Sequence, residues 1–211
     1  MKACAIAILL AAAAFAQADL SGVWAVSGSP DIAGDLPYTA AAMKLWQEHK
    51  ANLHDKDPAT FCLPNGVVRV TALPYKVVQT PQLVVILSEG NTHSYRRLFL
   101  DGRGHQFVED VEPDSWTGHS TAKWEGTTLV VDTIGFNDRT WLDSTGKPHS
   151  DALHVTERYR RPSASRLEVE YTLEDPKFLT KTFTFTRVFS LLPGRELKEQ
   201  FCTDLNHLNP H

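Results

Sequence analysis

Residues 116–158 read WTGHSTAKWEGTTLVVDTIGFNDRTWLDSTGKPHSDALHVTER. Two runs inside this stretch, 118–124 and 128–134, are short and strand-like, the second rich in β-branched residues, and Glu125-Gly126-Thr127 joins them. A glycine between two such runs is a hairpin signal. The stretch also holds three of the five tryptophans (Trp116, Trp124, Trp141), with His119, His149 and His154. Its acids are Asp132, Asp138, Asp143, Asp151 and Glu157. Aromatic, imidazole and carboxylate groups at that density on a β scaffold point to a pocket.

Outward from the hairpin the same pattern repeats. Upstream, strands are expected over 20–26, 75–80, 83–89 and 93–100, with Asp101-Gly102-Arg103-Gly104 as a hairpin-type turn. Downstream, they are expected over 152–161, 167–173, 182–192 and 196–202. Strands joined by short polar turns make an antiparallel meander. In one domain they close into a barrel or form a strongly curved sheet, since closure removes unpaired edges. The fold class is therefore mainly β, with one N-terminal helix over 40–52 that Thr39 caps. Ala42, Leu45, Trp46 and His49 share one stripe of that helix.

The first residues have a different character. Lys2, the apolar run 5–15 and Ala16-Gln17-Ala18 form a secretory signal peptide with an A-x-A cleavage site. The expected division is 1–18 as signal peptide and 19–211 as one barrel-like domain, secreted or periplasmic. No later run approaches the roughly 20 apolar residues of a membrane span. Without the leader, Cys62 and Cys202 are the only cysteines, and in an oxidising compartment they read as a disulfide, or else as two buried thiols. The formal net charge is −4, and a leader carrying Lys2 and no acid leaves −5 on the remainder. The basic residues are scattered, which argues against nucleic acid as a partner.

Strand periodicity assigns faces. Glu157 shares a side with Leu153, Val155 and Tyr159, and Arg187 with Phe183, Phe185 and Phe189. By the same rule Glu89 follows Leu83, Val85 and Leu87, and Arg97 lies between Tyr95 and Phe99. Charges on apolar faces are costly unless they are paired or wet. Glu89, Arg97, Glu157 and Arg187 are thus expected to form an interior polar cluster, either a ligand site or structural ion pairs. His105, His119 and His149 sit at turns and strand ends and could converge on a barrel mouth, as metal ligands or as a general base. The local spacing carries no His-x-His and no H-E-x-x-H motif, so the cofactor is left open. No G-x-S-x-G elbow or phosphate-binding glycine loop is present.

The chain resembles a widespread family of secreted bacterial proteins. The shared pattern runs GHS…WEGTTLVVDTIGFNDRTWLD…GKPHSDALHVTER, with the C-L-P run at Cys62, the VVQTP…VVIL run ending at Glu89, and RRLFLDGRGH upstream. That resemblance implies no particular activity. Gly104 and Gln106 stand where the family pattern has proline, which loosens the loop carrying His105. Gly22-Val23-Trp24 at the start of the first strand also resembles lipocalins and other calycins, whose tryptophan closes one barrel end.

Three functions follow. The first is binding of a small, partly apolar molecule in an interior or rim pocket. Arg97, Arg187, Trp116, Trp124, Trp141, His105 and Asn137 are the candidate contacts. The second is a lyase, isomerase or hydrolase on the same barrel, with His119 or His149 as base and Glu89 or Glu157 as acid. The third is a structural accessory of the cell envelope.

Overall fold

The structure is a computed structural model that describes residues 17–90, 94–105, 115–199 and 202. The expected signal peptide falls almost wholly outside these residues, as does Gln106. Among the described residues, nine strands close into one barrel in chain order. They are β1 (Gly22–Val26), β2 (Tyr75–Gln79), β3 (Leu83–Ser88), β4 (Tyr95–Phe99), β5 (His119–Glu125), β6 (Thr128–Ile134), β7 (His154–Ser163), β8 (Arg166–Glu174) and β9 (Phe183–Leu191). β1 pairs with both β2 and β9, which completes the ring. This mainly β barrel is consistent with the calycin-like expectation.

The β5–β6 hairpin forms as its sequence demands. Glu125 pairs with Thr128, leaving a two-residue loop in which Gly126 has φ +62°. That left-handed conformation is costly for residues with a Cβ and suits a tight hairpin.

Two expectations about the sheet are corrected. β4 and β5 run parallel, with Leu98 opposite Ser120 and Phe99 opposite Thr121. Residues 101–104 therefore open a crossover that carries the chain back to the same end, and are not a hairpin turn. The final strand expected over 196–202 is also absent from the described residues, because β9 already meets β1 and closes the ring.

Helix α1 (Ala40–Ala51) begins where expected, and Thr39 Oγ1 accepts a hydrogen bond from the Ala42 amide at 3.3 Å. It packs on the loop between β6 and β7. Trp46 Nε1 donates to the Thr145 carbonyl at 3.0 Å, and His49 stacks on Trp141 at 4.7 Å. A short helix, α2 (Leu53–Lys56), follows directly. No helix among the described residues is long and apolar enough to cross a membrane.

The barrel interior is packed with side chains. Trp24, Tyr75, Ile86, Leu98, Leu129, Tyr159, Leu167, Tyr171 and Phe189 are fully buried, as befits a barrel of this size. Trp24 is anchored by its Nε1 donating to the Leu20 carbonyl at 2.9 Å, with Arg161 over its indole ring. Ile32, Leu36, Val67, Val68 and Val70, all outside the strands, complete the buried core. Cys62 and Cys202 form a disulfide across 140 residues, with Cα atoms 5.6 Å apart.

Candidate functional site

The interior charges form a closed network. Arg96 donates to both oxygens of Glu157 at 3.0 and 2.6 Å, Tyr159 Oη donates to Glu157 at 2.8 Å, and Ser120 Oγ accepts from Arg96 at 3.2 Å. Both partners of the ion pair are essentially inaccessible, with side-chain exposures of 1% and 0%. Burial pushes the Tyr75 and Tyr159 phenols well up and raises that of Tyr171, and the Glu157 charge adds to it.

The expected interior cluster of four is corrected in three of its members. Glu157 lies inside, but its partner is Arg96. Arg97 is on the outer face with Tyr95 and Phe99, and Leu83, Val85 and Leu87 likewise face outward from β3. Arg187 is buried but reaches the carbonyls of Val68 and Pro30, tying β9 to the segments over that end of the barrel. Glu89 lies just past β3, where both carboxylate oxygens accept from Arg195 at 2.7 and 2.9 Å and one accepts the Lys198 amide.

The histidines separate. His149 is buried, with Nδ1 donating to the Ser150 carbonyl at 3.0 Å and Nε2 accepting from Thr140 Oγ1 at 2.6 Å. Burial holds this ring below its ordinary pKa, and the Ser150 carbonyl and the Asp175 charge oppose that without reversing it. Its hydrogen-bonding capacity is fully used inside the loop. His105 and His119 do meet, Nδ1 to Nδ1 at 2.9 Å. Among the described residues no group of three or more His, Cys, Asp or Glu could hold a metal ion, so the expected convergence of His105, His119 and His149 does not occur.

What does assemble is a row on the outer face. Register places Thr121 opposite Asp132 and Asp132 opposite Thr156, so Asp132 lies at the middle of β5, β6 and β7. His105, from the crossover, donates through Nε2 to Asp132 Oδ2 at 2.8 Å. His154 Nε2 meets Asp132 Oδ1 at 2.5 Å, and His154 Nδ1 meets Glu174 at 3.1 Å. The result is a continuous chain, His119–His105–Asp132–His154–Glu174. Burial raises the Asp132 pKa, but the hydrogen bonds and charges of His154 and His105 outweigh it and hold the carboxyl below its ordinary value.

A carboxylate only accepts, which sets the proton positions along this row. His105 carries its proton on Nε2 toward Asp132. A neutral His105 therefore offers a bare Nδ1, His119 donates to it through Nδ1–H, and the His119 Nε2 lone pair is left free. Among the described residues no group hydrogen-bonds His119 Nε2. Burial, then the charges of His105, Arg103 and Arg97, hold the His119 imidazole below its ordinary pKa.

His119 lines a cleft of about 330 Å³ with Tyr95, Arg97, Phe99, Arg103, Ser115 and Thr117. Its ring stacks on Phe99 at 5.5 Å, and the Arg103 guanidinium lies 3.9 Å from the centre of the same Phe99 ring. Arg103 is paired with Asp101. Arg97 has no ion-pair partner among the described residues and lies 5.5 Å from the Phe99 ring. Gly118 makes the placement possible. With φ +68°, it sits where a Cβ would be 2.7 Å from the Ile134 carbonyl oxygen, so only glycine lets β5 start this close to β6.

The other expected contacts are dispersed. Trp116 lies under Arg139 at 4.7 Å, Trp124 packs against the core from the end of β5, and Trp141 is buried against His49. Asn137 is buried, and its side chain accepts the Arg139 amide at 3.0 Å. Asp132, His154, Glu174, Arg103 and Phe99 were not among the expected site residues. The only sequence signal for them was the shared strand parity of His119, Asp132 and His154.

Fold and site together define a closed nine-stranded barrel with an imidazole–carboxylate row on its outer wall beside a cationic, aromatic cleft. Compared with protein-family models, curated proteins and solved structures, the chain has no match.

Proposed function

We propose that this protein is an exported barrel of the secreted family it resembles, and that it binds a small, partly apolar anion in the cleft between β4 and β5. The observation that carries the reading is Arg97, without an ion-pair partner among the described residues and beside the exposed ring of Tyr95 and the half-buried ring of Phe99. A guanidinium flanked by aromatic surface suits a carboxylate attached to a ring or short apolar group. The packed interior leaves the outer cleft as the better of the two pocket positions. The disulfide, and the absence of a membrane-spanning helix from the described residues, are compatible with export.

Titration calorimetry with phenylacetate and with its neutral counterpart 2-phenylethanol tests the binding. Phenylacetate is expected to bind and the alcohol to bind at least tenfold more weakly. Arg97→Ala should remove the difference. Equal affinity for the two compounds in the unaltered protein would overturn the anion reading. N-terminal sequencing of protein secreted from cells should begin at Asp19, and a chain retaining Met1 would overturn export.

A further inference from the structure

We propose that His119 is a general base that removes a proton from the carbon beside the carbonyl of an anionic, aryl-substituted 2-oxo acid, with His105 and Asp132 as its positioning residues. This rests on the cleft reading and adds a reaction to it. The geometry supplies what the step needs. The Asp132 carboxylate fixes the His105 proton on Nε2, His105 Nδ1 accepts from His119 Nδ1, and the His119 Nε2 lone pair is free among the described residues. The arrangement is that of a base oriented by a second group, which is itself anchored by a half-exposed carboxylate.

In the step, Nε2 takes the proton. The C–H electron pair becomes a C=C bond, and the carbonyl pair moves onto oxygen to give an enolate. The guanidiniums of Arg97 and Arg103 supply positive charge in the cleft for that oxygen. The imidazolium then returns a proton to the same carbon, so no oxidant or co-reactant is consumed. Depressed basicity suits the role, because a neutral imidazole at pH 7 is ready to accept. The charged and titratable groups that face His119 are Arg97 from β4 and Arg103 and His105 from the crossover, with Asp132 of β6 behind His105. While the proton is held, the new positive charge is shared toward Asp132 through His105.

The test uses phenylpyruvate in D₂O, with loss of its methylene proton signal followed by NMR and its binding measured separately by calorimetry. The unaltered protein should accelerate exchange over buffer. His119→Ala should lose at least about a hundredfold of that acceleration while binding phenylpyruvate within a few-fold. Asp132→Asn removes the negative charge behind the relay, so the pH–rate profile of exchange should shift to lower pH with a lower plateau. A merely structural Asp132 would leave the profile in place.

Nitrogen-15 NMR of the unaltered protein reads the tautomer directly and needs no variant to fold. His119 should carry its proton on Nδ1, and a proton on Nε2 at pH 7 overturns the proposal. Binding without accelerated exchange, or unchanged exchange in His119→Ala, also overturns it and leaves the cleft reading standing. Absence of phenylpyruvate binding overturns both.

Discussion

Removing the Arg96 guanidinium leaves the Glu157 carboxylate buried and uncompensated, a change that costs about 3–5 kcal/mol in comparable cores. Its neighbour Arg97 is exposed on the outer face, where substitutions stay within about 0.5 kcal/mol. Urea unfolding of Arg96→Ala and Arg97→Ala should separate the two by several kcal/mol, and equal losses would refute the assignment of faces. His149 yields a pH prediction of definite sign. Its ring is held neutral in the folded state by burial. An unfolded chain gains a proton near its ordinary value of about 6.5, so stability is lost as pH falls through that value, down to the folded one. His119 contributes in the same direction. The urea midpoint should drop between pH 7.5 and 5.5, and more in the unaltered protein than in His149→Gln. Parallel slopes would remove His149 from the effect. Asp132 acts with the same sign in a more acid window: its depressed pKa stabilises above the unfolded value, and that contribution is lost as pH falls below it.

At the scale of elements, β5 depends on Gly118 and the C-terminal segment on the disulfide. Gly118→Ala would place a methyl 2.7 Å from the Ile134 oxygen in a left-handed backbone conformation. A loss of about 1–3 kcal/mol is expected, with a displaced His119 signal in NMR spectra. An unperturbed His119 signal would show that β5 tolerates the shift. Reducing Cys62–Cys202 frees a loop of 140 residues and should cost about 5 kcal/mol on the chain-entropy account, read as a lower urea midpoint with dithiothreitol. The elements themselves were largely legible. The β5–β6 hairpin, the Thr39 cap and the long strands β7 to β9 follow from turn residues and periodicity. β3 and β4 were legible as strands but not in orientation. Leu83, Val85 and Leu87 are as apolar as the inward Val84 and Ile86, and Arg96 and Arg97 stand side by side.

Across the whole molecule, closure through β1 and β9 means that no strand edge is free in the ring and each strand depends on two neighbours. Unfolding should therefore be a single transition, with tryptophan fluorescence, which reports on buried Trp24, coinciding with far-ultraviolet circular dichroism. Separated transitions would show that part of the ring opens independently. The sequence by itself determined the β class, the helix and its cap, and which residues share a side within each strand, and it left Cys62 and Cys202 as a disulfide or two buried thiols. Those are local properties of turns, periodicity and composition. Only the tertiary structure decided which side faces the core, that β4 and β5 run parallel, and that Arg96 holds Glu157. It alone also showed that His105 reaches Asp132 while His149 is buried elsewhere. A period of two makes residues co-facial without saying which face is buried, because burial belongs to the closed ring. The His119–Asp132–His154 row exists only through the register between three strands, and His105 joins it only through the crossover that the parallel pair requires.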